Sequence, residues 1–577
     1  MLAPNQTITK QTDSAPSPAS KSSWRFGDLS AAELMPQLRR HLLNQDDAAN
    51  WQLAWLNNDG RPVIGLLPKV SWSVYPTDQK PSKDSVNTYR VVKNCRDNCS
   101  THSENTMTAY MSYLEWQNEL IAYSKAYDTD NNSSNNVNPK STKPCYHHGL
   151  IGFIGYDIAA YELSPVDRIE LANQPCASLG HYDIYLTPAA DTDTGWELKS
   201  IQTNSSSDEA VGNKSKDEFI VALTSYLDEL DKKLSDKYLN QAQSKHTSHT
   251  IPVVLTARWS KRDYQQAFDR TQDYLQQGDC YQINLTQKWS GYLPYKNDAT
   301  QPTSALIDYL PALHRNTKAP FAGYLSVDGA SVDGASVDGT SVDGTSVEHF
   351  DIFNHNFELL SCSPELFFTF TKNKATNKHY ILTKPIKGTM PRGADLEQDT
   401  RYKHQLTNSE KDRAENVMIV DLLRNDLGKY AKIGSVKVPQ LFAIESFSNV
   451  HHMVSTITAE LRADTHPLAV LFGSLPAGSI TGTPKKRAVE IISELESTPR
   501  GAYCGTMGYM NFDGSGQWNV LIRTLQAGAS LTDEFNKEKH INLWAGGGIT
   551  VASDCNAEYQ ECLDKVGNLL AVLAKKV

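Results

Sequence analysis

The chain has no uninterrupted apolar run of about 18 residues, so no segment is expected to cross a membrane as a helix. It also has no block of clustered lysine and arginine. With a net charge of −10 and a pI near 5.9 it is a poor partner for a nucleic-acid backbone, which requires concentrated cations. Neither the phosphate-loop pattern nor the dinucleotide fingerprint occurs. The stretch Ala477–Gly482 lacks the lysine and spacing of the first, and Gly546–Gly548 runs into a strand-like Ile549–Ala552 rather than a helix, so nucleotide binding is not expected. Nine cysteines, an odd number scattered over 577 residues, suit reduced thiols better than a disulfide framework. Cys95, Cys99 and Cys145 with His147 and His148 imitate a zinc set but lack a second paired motif. The first 23 residues have no apolar core of the kind a secretory signal needs; a disordered tail and a cytoplasmic location are expected.

What remains is a large folded body with polar inserts, 39% hydrophobic and 21% charged. Its length exceeds a single hydrophobic core. The expected organisation is a tail over 1–23, an N-terminal region over 24–250 and a C-terminal core over 251–577. Within the N-terminal region, the polar stretch to about residue 145, which contains DTDNNSSNNVNPKSTK, reads mostly as a loop insertion, and 203–217 and 237–250 as linkers. Between Ser326 and Thr345 the pentapeptide SVDGA or SVDGT occurs four times in tandem. It is shorter than a calcium-binding repeat unit and reads as a lengthened hairpin without a function of its own.

Periodicity places a helix over Tyr264–Gln277 that stops at Gly278, with Phe268, Thr271, Tyr274 and Leu275 on one face. A second helix covers the stretch beginning at Ser409, with Ala414, Val417, Met418, Ile419, Leu422 and Leu423 as its apolar residues. A third covers about Ala557–Lys575. FELLSCSPELFFTF reads as one strand, as does HYILTKPIKGT, and AYCGTMGYMNF pairs with QWNVLIRTLQAG across Asp513–Gly516 as a hairpin.

Several side chains have chemical potential. Lys387 follows a strand at a backbone-exposed turn, and a lysine shielded from water can lose its proton and attack an electrophile. Asp412 and Glu415 on one helix, and Glu558 and Glu561 on another, are acids three residues apart, so each pair shares a helix face. Four oxygen donors without histidine or cysteine suit a hard ion such as Mg²⁺; ordinary solvated acids, with Glu561 paired to Lys565, are the alternative. Glycine-rich stretches at Gly388-Thr389, Ala477–Gly482 and Gly546–Gly548 can offer amides to an anion. Arg523 can clamp a carboxylate and Tyr503 can supply a hydroxyl. For His452 and Glu365 a structural role is the default.

Taken in order, GDCYQINLTQ, SCSPELFF, TKPIKGTMPRG, KDRAENVMIVDLLRNDLG, VHHMVSTI, GSITGTPKKRAVEII, RGAYCGTMGY, IRTL and AGGGI followed by AEYQECLDKV resemble the chorismate-utilising enzymes, and among them the branch that forms aminodeoxychorismate. The resemblance covers about 255–577, with GLIGFIGYD a weaker match upstream. It implies an α+β fold, a large two-sheet antiparallel β-sandwich flanked by helices. It implies Mg²⁺ bridging the ring carboxylate of chorismate to Glu415 and Glu561, with Asp412 and Glu558 in an outer shell. Substrate contacts would come from Gly388, Thr389, Tyr503, Arg523, Gly546, Gly547, Gly548 and Lys565, and catalysis from Lys387, Glu365 and His452. Relatives that use water carry a lysine where this chain has Gln282, and anthranilate-forming relatives carry a small residue where it has Lys387.

The implied reaction is chorismate plus ammonia to 4-amino-4-deoxychorismate, on the route to p-aminobenzoate and folate, with ammonia from a separate glutamine amidotransferase subunit. The chain itself shows no convincing glutaminase nucleophile motif. Anthranilate formation and a non-catalytic chorismate-binding scaffold are the competing readings. Some relatives also lodge tryptophan near a motif resembling Pro320-Phe321-Ala322, although the matching loop at Asn57–Arg61 is short here.

The lysine chemistry has an energetic condition. At a pKa of about 10.4 the neutral amine is roughly one part in 2,500 at pH 7, worth about 4.6 kcal/mol of barrier. Burial or neighbouring cations such as Mg²⁺, Arg523 or Lys384 must offset it, and Glu365 must shift the other way, remaining protonated to act as an acid.

Overall fold

The computed structural model describes residues 23–43, 52–77, 87–96, 105–128, 144–165, 169–189, 195–201, 210–240, 250–294, 305–327, 357–447, 450–529 and 539–575. Most of the first 23 residues, Cys99 and the SVDG repeat beyond Val327 fall outside them. Among the described residues no helix is long and apolar enough to cross a membrane.

Two antiparallel sheets of twelve strands each form the body, as the α+β sandwich expectation required. Both draw strands from the N-terminal and the C-terminal parts of the chain. In the first sheet Ala54–Leu56 pairs with Gly323–Val327, which leads through Phe357–Ser361 and Thr524–Ala529 to Lys539–Ile549 and Gln282–Leu293. In the second, Gly149–Ile154 pairs with Thr506–Asn511. From there Gly516–Val520, Leu366–Asn373, Lys378–Thr383 and Val450–Glu460 lead to Ile386–Pro391. Ile151, Phe153, Leu359, Met507 and Tyr509 fill the space between the sheets.

Helices cover the outer faces, and their ends follow local chemistry. Ser260 caps Lys261–Gln276 in a reciprocal box with Asp263, and Gly278 at φ 80° ends the turn beyond it. Ser409 accepts the Asp412 N–H at the start of Glu410–Gly428, hereafter the acid helix. Asp554 accepts the Ala557 N–H and starts the C-terminal helix Cys555–Leu573. The acid helix packs Ile419, Val420, Leu423 and Leu427 against Phe368, Phe370 and Ile457 of the second sheet. The C-terminal helix packs Cys562, Val566, Leu569 and Leu573 into the core under the first sheet. Each pair of acids is thereby carried by a helix anchored to a different sheet.

The structure corrects four readings of the sequence. The polar stretch taken for a loop insertion contains strands Tyr89–Cys95 and Asn105–Met111 and the helix Tyr113–Tyr127, because Trp116 and Leu120 supply an apolar anchor within a polar composition. The 203–217 linker runs into a helix over Ala210–Asn240. FELLSCSPELFFTF is two strands in different sheets, Phe357–Ser361 and Leu366–Asn373, with Pro364 in the crossing. On the acid helix Val417 is exposed and Asn416, Val420 and Leu427 are buried. The core-facing stripe is therefore rotated relative to the apolar count, and it buries Glu415.

Candidate active site

The HYILTKPIKGT stretch is also two strands. Pro385 has no N–H to give the ladder, so Lys378–Thr383 ends before it and a new strand, Ile386–Pro391, begins after it. This second strand pairs Ile386 with Val454 and Thr389 with His452, and the register slips between them, at Lys387 and Gly388. Lys387 thus sits on an irregular strand rather than at the mouth of a turn, and the bulge aims its side chain at the acid helix. Gly388 has φ 80°, and a Cβ there would lie 2.9 Å from Asp412 Cγ and 2.7 Å from Leu406 Cδ1, so glycine is required by conformation and by space.

Lys387 Nζ donates to Glu415 Oε2 at 2.9 Å. The other oxygen of Glu415, Oε1, is buried without a hydrogen-bond partner. Across the cleft, Glu558 Oε1 accepts from Ser553 Oγ at 2.8 Å, and Lys565 Nζ bridges Glu561 at 2.6 Å and the Gly546 carbonyl at 2.7 Å. Burial, with repulsion from Glu561, raises the Glu558 carboxyl above its usual range. The cations Lys565, Lys387 and Lys411 outweigh burial and hold Glu561 below it. Lys411, to which the sequence assigned no role, lies between the helices, 3.4 Å from Glu558 Oε1 and 4.0 Å from Glu415 Oε1. Its signal was present as the i, i+4 spacing to Glu415. Among the described residues no three acidic, histidine or cysteine side chains stand together as a formed metal site. The all-oxygen donor set and the unpartnered Glu415 Oε1 nevertheless fit a hard divalent ion.

Glu365 lies at the end of the crossing between sheets. Ser363 Oγ donates to the Val520 carbonyl at 2.6 Å and receives the Glu365 N–H, pinning the crossing in place. Glu365 is 8% exposed. Burial pushes its carboxyl up to about 7, against the downward pull of the Ile386 N–H and of Lys387, Lys565 and Arg523. Arg523 occupies a bend at φ 52°, and its carbonyl accepts the Cys362 N–H at 3.0 Å, which places it beside the same crossing. Burial lowers the Arg523 pKa, with Cys362 and Glu365 opposing.

The triple glycine lies within the strand Lys539–Ile549. On one edge Gly546, Gly547 and Gly548 pair with Thr286, Leu285 and Asn284. On the other edge the neighbouring strand begins only at Thr524 and reaches no further than Leu543, so the ladder past that point stops beside the Arg523 bend. A Cβ at Gly547 would lie 2.9 Å from Glu558 Oε2, and one at Gly548 would lie 2.4 Å from Gln282 Nε2. Bare backbone is what lets the acids and Gln282 approach.

Tyr503 is buried and stacks on Trp544, ring centroids 5.9 Å apart at 12°. The turn that carries it is held by a buried knot. Arg500, 1% exposed, donates to Glu496 Oε1 at 2.6 Å and to the Asn284 carbonyl at 2.7 Å, and Asp157 accepts the Arg500 and Gly501 N–H groups at 2.9 and 2.7 Å. Neither Arg500 nor Trp544 stood out in the sequence, since burial of an arginine has no local pattern.

Thr389 Oγ1 and His452 Nδ1 are 2.8 Å apart, with the Phe447 ring against the imidazole. Burial, aided by Arg523 and His451, lowers the His452 pKa to about 4, so the ring is neutral at pH 7. Because the folded value lies below the unfolded value of about 6.5, this stabilisation is full above about 6.5 and is lost as pH falls toward 4. Acid titration from pH 7 to 4, followed by circular dichroism, is expected to destabilise the native chain more than a His452→Gln variant.

Lys384 is not a neighbour of Lys387 in this arrangement. It pairs with Glu445 at 2.6 Å and, with Ile386, lines a cavity of about 980 Å³. Lys387 and the four acids do not line that cavity; alternation along the strand turns Lys387 the other way, toward the acid helix. The reactive groups instead converge on the cleft between the acid helix and the C-terminal helix.

A cleft with a lysine, a buried protonatable glutamate and facing carboxylates, set on this double sheet, defines the class. The model of the chorismate binding enzyme family matches residues 76–339 and 343–571, and the chain belongs to that family. Among its curated relatives, aminodeoxychorismate synthase component 1 of Salmonella typhimurium is 35% identical over 430 residues, covering 74% of this chain and 76% of that protein. The protein of the same name from Klebsiella aerogenes is 41% identical over 331 residues, covering 56% of this chain and 62% of the relative, so this chain spans about three-fifths of that length. In fold it is similar to anthranilate synthase component I from Streptococcus pneumoniae TIGR4, at TM-score 0.56 and 20% identity over 96% of this chain and 100% of that one.

Proposed function

We propose that this chain converts chorismate and ammonia to 4-amino-4-deoxychorismate, the precursor of p-aminobenzoate in folate synthesis, with ammonia from a separate glutamine amidotransferase subunit in the cytoplasm. The observation that carries the reading is Lys387, placed on its bulged strand within the cleft that Glu365, Arg523 and the facing acids line. The relatives named for the same activity support it.

Arg523, Tyr503 and the Gly546–Gly548 backbone orient the dianionic substrate, with Gly388 and Thr389 closing one wall. Glu415 and Glu561 would hold Mg²⁺ with Asp412 and Glu558 behind them, and the ion would neutralise the ring carboxylate. Glu365 gives its proton to the carbon 4 hydroxyl, which leaves as water while the neutral Lys387 amine adds at carbon 2 and both ring double bonds shift along the ring. Ammonia then adds at carbon 4, both double bonds return to their places, and the carbon 2–nitrogen bond to Lys387 breaks with its electron pair on the lysine. His452, neutral and tied to Thr389, supports this wall of the site. A tryptophan would lie between the N-terminal part and the core, beside the Asn57 N–H bond to Ala322 O at 2.9 Å and the Asp59 N–H bond to Pro320 O at 2.8 Å.

Incubation with chorismate, Mg²⁺ and ammonium, followed by addition of the lyase that completes p-aminobenzoate, is expected to yield p-aminobenzoate. Anthranilate as the main product would overturn the assignment, and unconsumed chorismate would point to the scaffold reading.

A further inference from the structure

We propose that Lys411 is an internal competitor for the divalent-cation site, a tethered ammonium that must be displaced from Glu415 and Glu558 before the ion is held between the two helices. This rests on the reading that those acids take a divalent ion. Lys411 Nζ approaches one oxygen from each helix, Glu558 Oε1 at 3.4 Å and Glu415 Oε1 at 4.0 Å. The second is the buried oxygen that no hydrogen bond satisfies, and so the one best placed to ligate. The other cations of the cleft make their ion pairs elsewhere, Lys387 on Glu415 Oε2 and Lys565 on Glu561 Oε1, whereas Lys411 has an ion-pair contact on each of the two helices. A divalent ion bound to these oxygens would come within a few ångströms of the ammonium, where like charges repel strongly.

The side chain can yield. It is 52% exposed, projects from the first turn of the acid helix, and can swing into water without opening the core. Its contacts are long enough that the pair is worth little by itself, so displacement is cheap but not free. Lys411 would then keep two facing acids from repelling one another before the ion arrives, and would set how tightly the ion is held afterwards. The arrangement favours a weakly held ion.

The test is a calorimetric titration of the full chain with Mg²⁺, with and without chorismate, supported by electron paramagnetic resonance of bound Mn²⁺. Lys411→Ala is expected to bind the ion roughly three- to tenfold more tightly than the native chain. Lys411→Arg should stay near the native value. Arg413→Ala, which removes a charge from the same helix where it lies over the Phe442 ring, serves as the control for a general field effect. Unchanged or weaker binding by Lys411→Ala, or equal tightening by Arg413→Ala, overturns the inference while leaving the metal reading intact. No uptake by the native chain, even with chorismate present, removes both.

Discussion

Lys387→Ala is expected to lower the rate of 4-amino-4-deoxychorismate formation by at least about 10²-fold, because it removes the nucleophile that splits one difficult displacement into two. The contacts make the variant informative. Lys387 bonds Glu415 Oε2, so its loss leaves a buried carboxylate with one cation fewer, and the ion is then bound at least as tightly as before. A fall in turnover with retained or tighter Mg²⁺ uptake therefore assigns Lys387 to the chemistry. A fall in both would place it in the architecture of the site. Unchanged turnover would remove the covalent step. Mass spectrometry of the native chain quenched during turnover is expected to show an adduct on the peptide containing Lys387, and Lys387→Ala none.

Glu365→Gln is expected to cost about 10²- to 10⁴-fold in turnover, the usual contribution of a positioned general acid. Its pH signature follows from the burial that pushes the carboxyl up to about 7. The reaction needs Glu365 protonated and the Lys387 amine neutral, so with free ammonia held constant the rise of the native rate with pH should bend downward near 7, where Glu365 loses its proton. The same shift has a stability consequence of the opposite kind to that of a salt-bridged acid. The folded value lies above the unfolded value of about 4.3, so between these pH values the folded chain binds the extra proton and stability declines as pH rises. Glutamine cannot ionise, so Glu365→Gln should melt at a higher temperature than the native chain at pH 8 and near it at pH 4. A native profile with no downward bend near pH 7, or a glutamine variant that melts lower at pH 8, would sink the acid assignment. More stable and less active is the combination expected where a carboxyl is held in the cleft for its chemistry.

Much of the fold was readable because its local signals were strong. The capped helices at Ser260, Ser409 and Asp554 and the hairpin across Asp513–Gly516 each carry their own start or turn chemistry. The failures have physical causes. Trp116 and Leu120 anchor a helix that average composition hides. Proline breaks at Pro364 and Pro385 split two strands whose β-propensity runs on through them. The face of the acid helix was misjudged because Glu415 and Asn416, both polar, belong to its buried side.

The sequence by itself determined which groups are present and how they pair locally: two acid pairs at one-turn spacing, a lysine followed by a glycine and a threonine, and a glycine run able to admit close neighbours. Periodicity and spacing act within one element, so they carry that information. Only the tertiary structure decided which groups meet. It set the acid helix on one sheet and the C-terminal helix on the other, bringing Glu415 and Glu558 to either side of Lys411. It turned Lys387 toward the acids and Lys384 away from them, through a register slip that no short window contains. It also buried Glu365 deeply enough to keep a proton near neutrality, because desolvation is summed over every element that packs around a side chain.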